Sequence, residues 1–221
     1  MNDYAIFIDQ TLLNPHLSDK ETVDFIDRSS KYNFASICVY PDNISLVKQI
    51  APLMKTTTVI GFPSGIVSNK VKIYESQYVY DLGVDEYDMV INLNAFRSGK
   101  YSFIINEINS IKQIIGNRVL KVIVEAGVLS DKEKKEICRI VADSDADFIK
   151  TSTGFFGHGA EVKDIELFYD ILKGRKRIKA SGGIKTLEKM KLLINAGADR
   201  IGTSSGIEII NEVEGDIGNS Y

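Results

Sequence analysis

The chain has 221 residues, 44% hydrophobic and 26% charged, which is the make-up of a single ordinary globular domain (1–221) and excludes a disordered or fibrous chain. Its 27 Lys and Arg against 30 Asp and Glu leave a formal net charge of -3; with no broad positive field, neither a nucleic-acid backbone nor an anionic membrane is an expected partner. Two cysteines without a CxxC spacing (Cys38, Cys138) and two histidines in unrelated segments (His16, His158) point to neither a disulfide framework nor a metal site.

Met1 to Leu13, broken by Asp3, Asp9 and Gln10, does not read as a signal peptide, and no apolar run approaches a membrane span, so a cytoplasmic location is expected. The first strand-like run is Ala5 to Asp9, followed by a helical pattern over Asp19 to Lys31. The alternation then repeats: runs at Ala35 to Tyr40, Thr57 to Phe62 and Glu86 to Asn92, with helices over Asp42 to Met54, Asn69 to Leu82 and Tyr101 to Ile115. Further runs at Leu120 to Glu125, Asp147 to Ser152, Arg177 to Ser181 and Arg200 to Thr203 enclose helices over Ser130 to Ser144, Val162 to Leu172 and Thr186 to Ala196. Ser130 and Asp131 before Glu133 mark a helix start, while Gly83, Gly116, Gly174 and Gly197 stand where helices stop. Eight strands joined by seven helices predict an α/β fold, a closed (β/α)8 TIM barrel. Gly215 to Tyr221 reads as a polar tail, and Tyr221 at its end is a candidate to swing over the active site.

Parallel strands under helices normally read as unbroken apolar runs, so charges within them need a reason. Side-chain alternation puts Asp88, Val90 and Asn92 on one face, Phe148, Lys150 and Ser152 on another, and Lys179 with Ser181 on a third; Lys121 and Glu125 alternate along the fifth run, and Asp9 ends the first. If these faces line the interior, Lys121, Lys150 and Lys179 meet Asp9, Asp88 and Glu125, and mutual pairing lets the core tolerate them. An inert ion-pair network is the plainer alternative.

Two lysines near the carboxyl ends of neighbouring strands fit amine chemistry. A lysine attacks a carbonyl only as the free amine, and bringing its pKa from about 10.4 to near 7 requires roughly 4 to 5 kcal/mol of differential destabilisation of the ammonium. Burial and a neighbouring cation act in that direction, which makes Lys150 the nucleophile and Lys179 the charge beside it. The enamine left by bond cleavage needs a proton carrier; Asp88 is the candidate, with Asp9 orienting Lys179. Glycine- and hydroxyl-rich turns after the last two strands (Ser181, Gly182, Gly183; Gly202, Thr203, Ser204, Ser205) form a phosphate cradle of the kind barrels place there, with Lys185 adding charge. Simple tight turns are the bland reading of the same residues.

These segments resemble the bacterial deoxyribose-phosphate aldolases along almost the whole chain: IDQTLL (Ile8 to Leu13), ICVYP (Ile37 to Pro41), IGFPSG (Ile60 to Gly65), DEYDMVIN (Asp85 to Asn92), LKVIVEAG (Leu120 to Gly127), FIKTSTGF (Phe148 to Phe155), IKASGGIKT (Ile178 to Thr186) and RIGTSSG (Arg200 to Gly206). The resemblance implies a Schiff base on Lys150, an electrostatic partner in Lys179 and proton transfer by Asp88. Asp9, Thr11, Cys38, Lys121 and Thr151 are expected in support, and Gly154 with the two late turns at the phosphate. The resemblance further implies reversible cleavage of 2-deoxy-D-ribose 5-phosphate to D-glyceraldehyde 3-phosphate and acetaldehyde, in deoxyribose phosphate catabolism, with no metal or organic cofactor. Gln10, Asn14 and Ala126 depart from the usual family residues, and Cys38 also reads as a small buried strand residue. Two other readings stay open: a Schiff-base aldolase for another phosphorylated sugar or ketoacid, and a catalytically silent phosphosugar-binding barrel. Ten tyrosines leave room for a homodimer patch.

Overall fold

The computed structural model describes residues 4–218. Eight parallel strands close into a barrel in chain order: β1 (Ile8–Leu12), β2 (Ser36–Val39), β3 (Thr56–Ile60), β4 (Glu86–Val90), β5 (Val119–Ile123), β6 (Phe148–Lys150), β7 (Arg177–Ser181) and β8 (Arg200–Thr203). The helices around them are α1 (Asp19–Ser29), α2 (Ile44–Ile50), α3 (Asn69–Asp81), α4 (Leu93–Arg97), α5 (Tyr101–Ile115), α6 (Asp131–Ala142), α7 (Val162–Leu172), α8 (Leu187–Asn195) and α9 (Gly206–Gly218). Most of the apolar core lies between this ring and the outer faces of the strands, from Ile8 and Ile37 through Met89, Val122 and Ile149 to Ile201.

Helix ends follow the local chemistry. Ser18 and Ser130 each accept from the N–H of the glutamate three residues on (Glu21, Glu133), whose carboxylate returns the bond to the serine N–H. The glycines expected to stop α3, α5, α7 and α8 lie one or two residues beyond each helix. Strand ends are set instead by pairing. The run at Ala5 begins as a 3-10 turn (Tyr4–Phe7), and β1 starts only at Ile8, where Ile201 and then Gly202 of β8 become available as partners, and runs on to Leu12 beside Val39. The helix expected over Asp42 to Met54 opens as a 3-10 turn at Pro41 to Asn43 and holds α-geometry only over α2.

Two helices lie outside the expected set. In α4, Asn92 has left the strand and caps the helix by accepting from the Ala95 N–H, so it does not share the barrel face of Asp88. The second, α9, continues through Gly218, which corrects the expectation of a tail starting at Gly215. Ile207 and Ile209 are buried, with Ile210 and Val213 packed beside them, and this spacing gives α9 its apolar face. Tyr221 lies outside the described residues. Among the described residues, no helix is long and apolar enough to cross a membrane.

Candidate active site

Pairing register builds the site. Lys150 of β6 stands directly opposite Lys179 of β7, Lys179 opposite Arg200 of β8, and Asp88 of β4 opposite Lys121 of β5. Residues two apart share a face, so these side chains all point into the barrel. Lys150 and Lys179 both donate to Oδ2 of Asp88, at 2.8 and 2.7 Å, while Lys121 donates to its Oδ1 at 2.9 Å. Asp9 takes Lys179 at 2.5 Å and the Ser36 hydroxyl at 2.7 Å. The two lysines thus meet over one carboxylate oxygen inside a common interior.

The electrostatics separate the lysines. Burial pushes the Lys150 ammonium below the ordinary lysine value; Asp88 opposes this and Lys179 adds to it. The larger cause is therefore burial, with Lys179 acting in the same direction. Lys179 is also fully buried, but Asp88 and Asp9 outweigh the desolvation and hold it above the ordinary value, as they and Glu86 do for Lys121. Asp88 itself, whose burial would raise it, is kept well below the carboxylate range by Lys121, Lys150 and Lys179. Lys150 is thus the amine that burial moves toward neutrality, with two firm cations nearby.

Lys150 also reaches the open end. It lines a cavity of about 510 Å³ at the carboxyl ends of the strands, together with Thr11, Gly154, Ser181, Gly182, Gly183, Lys185, Gly202 and Ser204. Asp88, Lys179, Asp9 and Lys121 lie beneath this wall, so they act on Lys150 from below. Gly182, at φ +90°, brings its backbone so close to the β6–α7 loop that a Cβ there would stand 2.9 Å from Gly159 Cα. The Ala160 N–H donates to the carbonyls of Ser181 and Gly182, fixing that loop over the turn.

Some expected residues play other parts. Glu125 follows β5 in a left-handed conformation (φ 52°) and accepts from the N–H and hydroxyl of Thr153, so it lies outside the ion-paired network, although the Lys150 charge still acts on it. Thr151 faces the Ser181 backbone, donating to its carbonyl and accepting from its N–H, and ties β6 to β7 without lining the cavity, which Thr153 does line. Ser205 stands at the head of α9, its N–H donating to the Thr203 hydroxyl, and it does not line the cavity. The next N–H, of Gly206, donates to Gln10 Oε1, which gives that departure from the family pattern a capping task. Cys38 is buried in a small apolar cluster with Leu13, Val59, Tyr40 and Phe62, its thiol pushed up to about 11 chiefly by burial.

Sequence reasoning missed Glu86 and Arg200. Arg200 donates to Asp9 at 2.5 Å and to Glu86 at 3.1 Å, and Glu86 also pairs with Lys121 at 2.7 Å. The signal was present: Glu86 lies two before Asp88, and Arg200 opens β8 two before Gly202. Phe62 and Phe155, ring centroids 5.2 Å apart, were likewise not foreseen as an aromatic pair, Phe155 lining the mouth. Elsewhere His158, Glu161 and Asp164 bring ligand atoms within 4.8 Å of one another. Lys163 already pairs with Glu161 at 2.8 Å and Lys134 with Asp164 at 2.6 Å, which disfavours a further cation.

A closed barrel with a lysine in the wall of a cavity at the carboxyl ends of its strands has the architecture of a (β/α)8-barrel enzyme. Residues 4–213 match the sequence profile described as DeoC/LacD family aldolase, and the chain belongs to that family. It is 44% identical over 213 residues to a deoxyribose-phosphate aldolase of Ureaplasma urealyticum serovar 10, covering 96% of this chain and 99% of that one. A counterpart from Caldicellulosiruptor saccharolyticus is 43% identical over 216 residues, covering 95% and 98%. Among solved structures, one described as QR15, an aldolase, superposes with a TM-score of 0.96 at 41% identity over 100% of both chains. The deoxyribose phosphate aldolase of Aeropyrum pernix, described as a unique tetramer, gives 0.85 at 30% identity over 95% of this chain and 90% of that one.

Proposed function

We propose that the chain is a class I aldolase that cleaves 2-deoxy-D-ribose 5-phosphate reversibly to D-glyceraldehyde 3-phosphate and acetaldehyde, serving deoxyribose phosphate catabolism. The observation that carries this reading is Lys150, a buried amine pushed toward neutrality, in the wall of a cavity whose opposite lip is built of glycine turns. Its Nζ adds to C1 of the open-chain aldehyde, and loss of water leaves an iminium. Removal of the proton on the C3 hydroxyl then breaks the C2–C3 bond, the electron pair moving into the iminium to give an enamine. Glyceraldehyde 3-phosphate departs, a proton returns to C2, and water hydrolyses the acetaldehyde iminium to free Lys150. Asp88, 2.8 Å from Lys150 Nζ, is the proton carrier: through a water it takes the proton of the C3 hydroxyl and returns a proton to C2, with Lys179 anchored on the same Asp88 oxygen.

The phosphate falls to the backbone of Gly182 to Ile184 and Ser204, with Gly154 and Lys185 at the rim, since the Ser205 and Gly206 N–H groups are already engaged. The reaction sequence needs only Lys150, Asp88 and water, with no added cofactor. The relatives' names support the substrate assignment, and assembly with further copies is a proposal on the same footing. A coupled assay for glyceraldehyde 3-phosphate release tests it: the protein turns over deoxyribose 5-phosphate, and Lys150→Ala lowers the rate by about 10³-fold or more. Equal turnover by that variant refutes the nucleophile, and turnover of other phosphorylated sugars in preference refutes the substrate.

A further inference from the structure

We propose that Arg200 and Glu86 are positioning residues that set the protonation of Lys150 from the floor of the barrel, Arg200 favouring the free amine and Glu86 the ammonium. The inference rests on the nucleophilic role proposed for Lys150 and deepens it. Neither residue lines the cavity, so neither is placed to meet the substrate.

The contacts form a continuous ladder. At its foot Arg200 bridges Asp9 (2.5 Å) and Glu86 (3.1 Å). Asp9 passes to Lys179 at 2.5 Å and lies 3.6 Å from Lys121; Glu86 passes to Lys121 at 2.7 Å. Both lysines end on Asp88, which is the carboxylate holding Lys150 at 2.8 Å. Every member of the ladder is buried or nearly so, with the Arg200 side chain 13% exposed and the Glu86 side chain 4%. Bulk water therefore screens these charges poorly, and a change at the foot is felt at the top.

Charge facing Lys150 can be taken around the barrel. β1 contributes Asp9, β2 the neutral Cys38, β4 Glu86 and Asp88, β5 Lys121, β7 Lys179 and β8 Arg200, while Glu125 beyond β5, hydrogen-bonded to Thr153, acts on Lys150 from outside the contact ladder and favours its ammonium. Within the contact ladder this makes three firm cations (Lys121, Lys179, Arg200) against three carboxylates (Asp9, Glu86, Asp88), so the ladder is neutral when Lys150 is the free amine. Protonating Lys150 adds an unbalanced charge to that ladder. Removing Arg200 leaves the carboxylates in excess and invites that proton; removing Glu86 does the reverse. The Arg200 guanidinium carbon also lies 5.7 Å from the Phe148 ring centroid, within cation–π range.

The test is the pH dependence of borohydride trapping of acetaldehyde on Lys150, read by peptide mass. Arg200→Met is expected to move the acid limb upward, and Glu86→Gln downward, each by on the order of one pH unit. The double variant Arg200→Met/Glu86→Gln restores the neutral ladder and should return the midpoint close to that of the unaltered protein. A structural role alone would make the double variant the worst of the three in yield while leaving the midpoint where it was. Shifts of the same sign in the two single variants, or no shift in either, overturn the proposal. If a single variant fails to fold, the other and the double variant still decide the sign. Absence of any Lys150 adduct in the unaltered protein would instead refute the nucleophile itself.

Discussion

Replacing Lys179 with leucine isolates the contribution of one charge to the reactivity of another. Lys150 and Lys179 lie 2.8 and 2.7 Å from the same oxygen of Asp88, so their nitrogens are at most about 5.5 Å apart, the sum of those two distances. At an effective dielectric constant of about 20, a unit charge that close destabilises the Lys150 ammonium by about 3 kcal/mol, or roughly two pK units. Asp88, losing one of its three cations, attracts the remaining two more strongly, and this adds to the effect in the same direction. The sign follows: without Lys179 the amine binds its proton more tightly, and the acid limb of kcat/KM for deoxyribose 5-phosphate cleavage moves upward by about 2 pH units. Thermal unfolding of the variant checks that the barrel still forms, since Asp9 keeps Arg200 and Ser36 as partners. An acid limb that stays in place in a folded Lys179→Leu protein would refute the coupling between the two lysines.

Two other outcomes follow from different parts of the molecule. Lys72→Met strands the fully buried Glu107 carboxylate, which Lys72 holds at 2.8 Å, and should cost about 3 to 5 kcal/mol and lower Tm by about 6 to 20 °C; Lys72→Met with Glu107→Gln should recover most of it, by calorimetry. Gly182→Ala forces a Cβ to 2.9 Å from Gly159 Cα at a backbone φ of +90°, displacing the turn assigned to phosphate. KM for deoxyribose 5-phosphate should rise about 10- to 100-fold, while trapping of acetaldehyde, which carries no phosphate, changes little; equal losses in both would remove the phosphate from this turn.

The barrel was legible because its signals are local and repeated. Helices α5 and α7 occur at the residues their apolar spacing marks, and β7 and β8 do so too, because turn chemistry bounds them on both sides. Strand ends that depend on a partner were not legible: β1 begins where β8 offers register, a fact carried by no residue of β1 itself. The same division holds in the site. Charged residues at alternate positions announced Lys150, Lys179 and Asp88, since a buried charge is costly enough to mark function or pairing. Whether Glu125 or Glu86 completes the network was a question of a few ångströms beyond the strand, where a left-handed turn at Glu125 sends its carboxylate to Thr153. Arg200 escaped notice because an arginine at the start of a strand ordinarily lies in solvent, whereas closure of the barrel here brings it between Asp9 and Glu86.

The most direct measurement treats the native protein with acetaldehyde and borohydride near neutral pH and maps the modified peptide. A reduced two-carbon adduct confined to Lys150 is the expected result, because Lys150 lines the cavity and burial favours its neutral form, while acids hold Lys121 and Lys179 as cations. An adduct on Lys121 or Lys179 instead, or none under conditions where the protein cleaves its substrate, would contradict the assignment.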